Sequence, residues 1–264
     1  MPVPALMQRY TRRASAEIEV LYYKQSSIVA RLLDGADRFD CPLCGWSGRF
    51  MPTRPIYGRR LHAICPNCKS MERHRLQKLV VDEILEHFSP QDKACLQFAP
   101  DPMTRFLRAS FGTVVTADID PRPNSLQIDM RAIPFRDASF DFVFASHVLE
   151  HIKEDLVALR ELYRILKPGG MAALPVPIIC EATIEYPQAM PREEYHVRAP
   201  GLDYFDRYRS VFDAVKVFTS EQFDQRYQTY VYEDRSGFPN EICPHRSAME
   251  GYRHLDAVPV CWKA

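Results

Sequence analysis

The chain has 264 residues, 46% hydrophobic and 26% charged, with 34 Lys and Arg against 34 Asp and Glu. Such a length suits one α/β domain of about 150–200 residues with a small module attached, and the balanced charge excludes a wholly basic or acidic binding protein. There is no apolar run of about 18 residues to span a membrane, and MPVPALMQRYTRRASAEIEV lacks the apolar core and cleavage site of a secretory signal, so a cytoplasmic location is expected.

In chain order, residues 1–38 contain a weakly amphipathic stretch near 14–33 (Ile18, Leu21, Tyr22, Ile28, Leu32), which predicts an N-terminal helical segment. Residues 39–70 form a cysteine-bounded module, Cys41-x2-Cys44 followed by Cys65-x2-Cys68. Each CxxC turns back on itself and offers two thiolates, so two such knuckles complete the tetrahedron that Zn²⁺ prefers. Paired spacing in a chain without a signal points to metal rather than disulfides. With four protein ligands the site is closed and therefore structural; iron in a rubredoxin-like site is the alternative. Between Cys41 and Lys78 stand eight Lys or Arg against one acid, Glu72. The loop Arg49–His62 interleaves Arg49, Phe50, Arg54, Tyr57, Arg59 and Arg60, a mixture that suits phosphates and bases or a wet surface over packed aromatics.

Residues 71–264 read as alternating strands and helices. Ser70 is expected to cap a helix whose face is Leu76, Leu79, Val80, Ile84 and Phe88. Apolar runs at 94–98, 114–117, 126–128, 140–145 and 171–174 predict strands. Asp101 and Pro102 start a helix through MTRFLRAS, and Lys153–Leu166 is amphipathic up to a stop at Lys167-Pro168-Gly169-Gly170. A helix beginning near Asp203, with Tyr204, Phe205 and Tyr208, is expected on the substrate side. Short apolar strands alternating with helices argue for a doubly wound, Rossmann-like α/β sheet behind a small zinc-ribbon module. Asp118, Asp129 and Ser146 fall at or just beyond strand carboxyl ends, where such sheets bind ligands.

The phrases VVTADID, IDMRAIPFRDASFDFVFASHVLEHI and LYRILKPGG resemble the class I S-adenosylmethionine-dependent methyltransferases, in particular the subgroup typified by quinone-biosynthesis enzymes. The junction CxxC-SMERHR followed by LQFAPDP is similar to a bacterial branch with an amino-terminal zinc module. The resemblance implies S-adenosylmethionine as cofactor. Asp118, beside Ile119, would accept from the ribose hydroxyls, and Asp129 with the Met130 backbone would meet the adenine. Ser146 and His147 would stand near the methionine end. The family's glycine-rich first loop is replaced by Phe98-Ala99-Pro100-Asp101-Pro102, which implies a different path around the carboxypropyl arm, because proline cannot take the positive φ that glycine allows.

For the chemistry, His147, His196 and Arg198 are the catalytic candidates, an imidazole to take a proton and a guanidinium to hold an anion. Glu150 and His151 read as structural. The leading expectation is a methyltransferase acting on a small or medium metabolite, including anionic or phosphate-bearing ones. The alternatives are an RNA methyltransferase that grips its substrate with the basic zinc module, and a catalytically silent fold that binds partners.

Overall fold

The computed structural model describes residues 17–18, 20–25, 38–53 and 59–264. Residues 17–18 and 20–25 are helical. The remainder of the N-terminal helical expectation, to residue 37, lies outside the described residues, as do Arg54 and Tyr57. Among the described residues, no helix is long and apolar enough to cross a membrane.

The first cysteine knuckle sits between two short antiparallel strands, β1 (Phe39–Asp40) and β2 (Ser47–Gly48). After the second knuckle come α1 (Glu72–Leu85), β3 (Ala94–Phe98), α2 (Met103–Ser110), β4 (Thr113–Asp118), β5 (Leu126–Gln127), β6 (Phe140–Ala145), α3 (Asp155–Ile165) and β7 (Leu166–Ala173). A hairpin of β8 (Ile184–Met190) and β9 (His196–Ala199) follows, then α4 (Asp206–Arg209), β10 (Ala214–Thr219), β11 (Val231–Tyr232), β12 (Arg253–His254) and β13 (Ala257–Trp262).

Seven strands form one sheet in the order β10-β13-β7-β6-β3-β4-β5. The pairs from β7 to β5 are parallel, and β13 runs antiparallel to both β7 and β10. Side chains alternate between two cores. Leu96, Val143 and Ala145 join Ala158, Leu159 and Leu162 of α3 on one face. Cys95, Phe142 and Phe144 join Leu76 and Val80 of α1 with Met103 and Leu107 of α2 on the other. Strands buried on both faces read as continuous apolar runs, which is why FDFVFA carries little alternation. Chain order reverses about β3, whose neighbours are β4 and β6, so the switch point lies at the carboxyl ends of β3 and β6.

Three local expectations are corrected. Ser70 does not cap α1: it is fully buried with its hydroxyl 3.3 Å from Cys41 Sγ, and Met71 N–H instead donates to His74 Nδ1 at 2.9 Å. Burial lowers His74 to about 2, which leaves the ring neutral and able to accept. Next, α3 does end just before Lys167–Gly170, at Ile165, but these residues belong to β7 and do not cap the helix. The last carbonyls of the helix are met by Lys263, whose Nζ donates to Tyr163, Arg164 and Leu166 oxygens. Gly170 is needed for closeness, since a Cβ there would stand 2.8 Å from the Lys167 oxygen. Lastly, Tyr204, Phe205 and Tyr208 do not line the substrate side. They pack in the α3 core, with Tyr208 Oη donating to the Leu174 carbonyl at 3.0 Å.

Arg75 of α1 ties the cysteine module to the sheet. It is completely buried, and its guanidinium donates to the carbonyls of Ala63 (2.8 Å), Gln228 (2.7 Å) and Tyr227 (2.9 Å) while lying 4.3 Å over the Phe50 ring. A backbone bridge from Leu61 to Tyr232 adds a second tie. Burial lowers Arg75 to about 10, still charged at neutral pH. Arg75→Met removes the donors and leaves buried carbonyls unpaired, so it should destabilise the fold by about 3–5 kcal/mol and lower Tm by about 10 °C, measured by urea and thermal melts.

Candidate functional site

The two knuckles repeat one geometry. In each, the first cysteine's N–H donates to the carbonyl five residues on (Cys41 to Trp46, Cys65 to Ser70, both 2.8 Å). The N–H four residues on returns to the first cysteine's carbonyl (Gly45 to Cys41, Lys69 to Cys65, both 2.9 Å). That closure needs a left-handed residue at the fourth step, and Gly45 (φ 71) and Lys69 (φ 64) supply it. The four sulfurs lie within 4.8 Å of one another, with Cys41–Cys68 at 3.6 Å and Cys44–Cys65 at 3.7 Å. A tetrahedral zinc thiolate site has sulfurs about 3.8 Å apart, so the donor set fits that ion. The Cys41 and Cys65 thiols, by hydrogen bonding, hold Cys68 well below the usual thiol range.

A cavity of 560 Å³ opens at the switch point. Its floor is the carboxyl ends of β3 and β6: Ala99 and Asp101 on one side, Ser146 and His147 on the other. Its walls are Pro177–Ile179 and the hairpin residues Glu193, Glu194 and His196, and its roof combines Thr53, Arg60 and Ile64 of the cysteine module with Val231, Glu233, Arg235 and Arg246. Arg60 pairs with buried Glu72 at 2.6 Å, and Arg235 with Glu233 at 2.8 Å. Arg73 and Arg246 also line the cavity, and neither forms an ion pair with a carboxylate among the described residues.

The glycine-free loop makes its turn with alanine. Ala99 stands at φ 48, in the left-handed region that costs a non-glycine residue about 1–2 kcal/mol. It is held there by Ala99 N–H to the Ala117 carbonyl at 2.9 Å, and Asp101 Oδ1 accepts from Gln97 Nε2 at 3.1 Å and Met103 N–H at 2.8 Å. Burial raises Asp101 to about 6.

Of the expected cofactor residues, Ala99 and Ser146 line the cavity, and Ser146 Oγ accepts from Gln77 Nε2 at 2.8 Å. Phe98 and Met130 are core side chains, so only their backbones remain available. Pro100 lies beside Ala99, and Ile119 is exposed. Asp118 and Asp129 sit at the same carboxyl edge but not in the cavity. Asp118 is buried, with Oδ1 accepting from Asp120 N–H; its Oδ2 has no hydrogen bond and is approached by Arg122 Nε at 2.5 Å. A hydroxyl donor would reach that oxygen by displacing Arg122. Asp129 is partly exposed and holds Arg131 with both oxygens, which lowers its carboxyl.

His147 and His196 both face the cavity, and each has a buried ring nitrogen (Nε2 and Nδ1) without a partner. Burial pushes His196 down to about 4. Arg198 is a correction: its guanidinium is committed elsewhere and does not reach the cavity. It donates to the carbonyls of Leu149 (2.8 Å), Ile152 (2.6 Å) and Lys153 (3.0 Å) and to Glu185, strapping β9 to the turn after β6. Glu150 and His151, expected to be structural, both line the cavity. Burial pushes Glu150 up, but the nearby rings of His147, His151 and His196 outweigh it, and its pKa is lowered overall. The signal for this pair was their adjacency to His147 in HVLEH. On the roof, Phe50 points inward under Arg75 and Arg60 pairs with Glu72, so neither is presented outward to a nucleic acid.

Residues 98–174 match the family model described as a methyltransferase domain. Demethylmenaquinone methyltransferase of Staphylococcus haemolyticus is 31% identical over 108 residues, 40% of this chain and 40% of that protein. The enzyme of the same name from Streptomyces griseus is 47% identical over 53 residues, 20% of this chain and 21% of its own length. The chain thus spans two-fifths or less of the length of these relatives. Among solved structures, the YcgJ protein of Bacillus subtilis aligns with a TM-score of 0.45 and 14% identity over 72% of this chain and 99% of that one. An S-adenosylmethionine-dependent methyltransferase of Mesorhizobium loti aligns at 0.47 and 12% identity over 70% and 97%. Residues 98–174 thus carry a methyltransferase domain, set in a mixed seven-stranded doubly wound sheet.

Proposed function

We propose that the chain transfers a methyl group from S-adenosylmethionine to a small or medium metabolite, with residues 71–264 as the catalytic domain and residues 39–70 as a zinc-held roof. The observation that carries this reading is the roofed cavity at the switch point. Its size suits a small ligand, and the cysteine module contributes Thr53, Arg60 and Ile64 to its lining. Asp118 would accept from the nucleoside's ribose, while the backbone turn at Ala99 and the Ser146 end of β6 would border the methionine portion. The cofactor supplies an activated methyl on a sulfonium; the protein's task is to align the acceptor and exclude water. Arg73 and Arg246, without carboxylate partners, favour an acceptor that carries phosphate or carboxylate. His147 Nε2 is the group best situated to take a proton from it. Inward-turned Phe50 and Arg60 weigh against RNA as the substrate.

S-adenosylhomocysteine should bind with micromolar affinity by calorimetry; no heat of binding up to about 1 mM would remove the enzyme reading and leave the silent fold. Asp118→Ala should weaken that binding while leaving the thermal melt near that of the parent. In turnover of an anionic acceptor followed by S-adenosylhomocysteine release, His196→Ala should cut kcat at least about tenfold, about 1.4 kcal/mol, and unchanged kinetics would take it out of the site. Purified protein should carry a single zinc ion per chain by plasma mass spectrometry. Cys65→Ser should lose that ion and become sensitive to proteolysis within residues 39–70.

A further inference from the structure

Just beyond β6, the one-turn helix Leu149–His151 presents Glu150 and His151 to the cavity, and the hairpin brings in His196, the first residue of β9. One ligand atom from each of Glu150, His151 and His196 lies within 4.8 Å of the other two. The two imidazole rings meet nearly edge-on, with centroids 4.7 Å apart. Glu150 is 0% exposed, and neither of its oxygens has a hydrogen bond. The His147 ring stands near it, with Nδ1 3.4 Å from Oε1. A carboxylate that is out of water and not hydrogen-bonded is costly unless a cation meets it.

We propose that Glu150, His151 and His196 form a second metal site, distinct from the four cysteines, that binds a divalent cation inside the cavity. One carboxylate and two imidazoles on one side of an ion are the donor set of octahedral Mn²⁺, Fe²⁺ or Co²⁺, with the remaining positions open to the cavity. Donors around such an ion stand about 3 Å apart, a contraction that side-chain torsions of the three residues supply. Arg198 is the positioning residue: it bonds the carbonyls of Leu149 and Ile152, which bracket Glu150 and His151, from the strand that carries His196. Outer contacts of this kind orient ligands before the ion arrives.

The site also narrows the acceptor class, and that part rests on the methyltransferase reading while cation binding does not. An acceptor with two adjacent oxygens would fill the open positions, and its hydroxyl would be acidified there. The hydroxyl proton passes to His147 Nε2. The oxygen's electron pair forms the new bond to the methyl carbon, and the breaking carbon–sulfur bond leaves its electrons on sulfur, giving S-adenosylhomocysteine.

The test is a Mn²⁺ titration of full-length protein whose cysteine site already holds zinc, with free Mn²⁺ read by electron paramagnetic resonance. One Mn²⁺ should bind per chain without displacing zinc, and Glu150→Gln and His196→Asn should each weaken it at least about tenfold. Arg198→Lys should weaken it less. Parent protein that binds neither Mn²⁺ nor Co²⁺ up to about 1 mM overturns the site, as does Glu150→Gln binding as tightly as the parent. If Glu150→Gln does not fold, the parent titration and His151→Asn decide. Calorimetry with S-adenosylhomocysteine on the same preparation reads the methyltransferase proposal separately: Mn²⁺ bound without the nucleoside overturns only the enzyme reading.

Discussion

A single buried guanidinium decides whether the cavity has a roof. Arg75 starts in a helix of the sheet's own layer and ends among carbonyls of the cysteine module and of the segment after β10. Those three pieces are separated by up to 166 positions in the chain, and apart from the Leu61–Tyr232 bridge they share few other polar ties. Desolvating an arginine costs several kcal/mol, and only a full set of acceptors offsets it. The return is specificity of arrangement: Phe50 can stack beneath Arg75 in only one pose of the module. In that pose Arg60 reaches Glu72 and faces the cavity. The cysteine knuckles hold the module's turns, and Arg75 fixes where the module sits.

Under the proposed function, the end of the site that would take the nucleoside is governed by weaker forces. Asp118 and Asp129 are each covered by an arginine from their own loop, Arg122 and Arg131, whose side chains are 51% and 46% exposed. The Asp129–Arg131 pair, open on both sides, is worth about 0–1 kcal/mol, so an incoming adenine would need little to displace it. Arg131 is shared with Glu154, which gives it somewhere to go when it releases Asp129. Each arginine thus keeps its carboxylate oriented in the absence of a ligand.

Much of this was legible from residue order alone. Cysteine spacing carries its own geometry, because a CxxC turn places two sulfurs locally whatever the rest of the chain does. The strands from 94 to 145 were legible for a similar reason: short apolar runs ending in Asp or Ser describe a parallel sheet and its ligand edge together. What could not be read depends on distant pairings. Nothing within HVLEH reveals that His196, 45 positions beyond His151 in the numbering, folds back onto it, so Glu150 and His151 passed for structural residues. Arg198 failed in the opposite sense. An arginine beside a candidate histidine suggests anion binding, yet backbone carbonyls of another loop claim it first. Ser70 had the chemistry of a helix cap but lies against two cysteine sulfurs, a competition visible only in three dimensions.

The alanine turn at residue 99 has an effect beyond replacing glycine. Glycine-rich loops wander before they close on a ligand, and part of the attraction is spent on quieting them. Here the flanking prolines, the tether to Ala117 and the Asp101 latch leave the loop almost no other torsions to explore. The entropy is surrendered once, when the chain folds, rather than at each encounter. Such a rim meets its guest as a rigid edge, tolerant of little variation in shape and quick to release a product that no longer matches it.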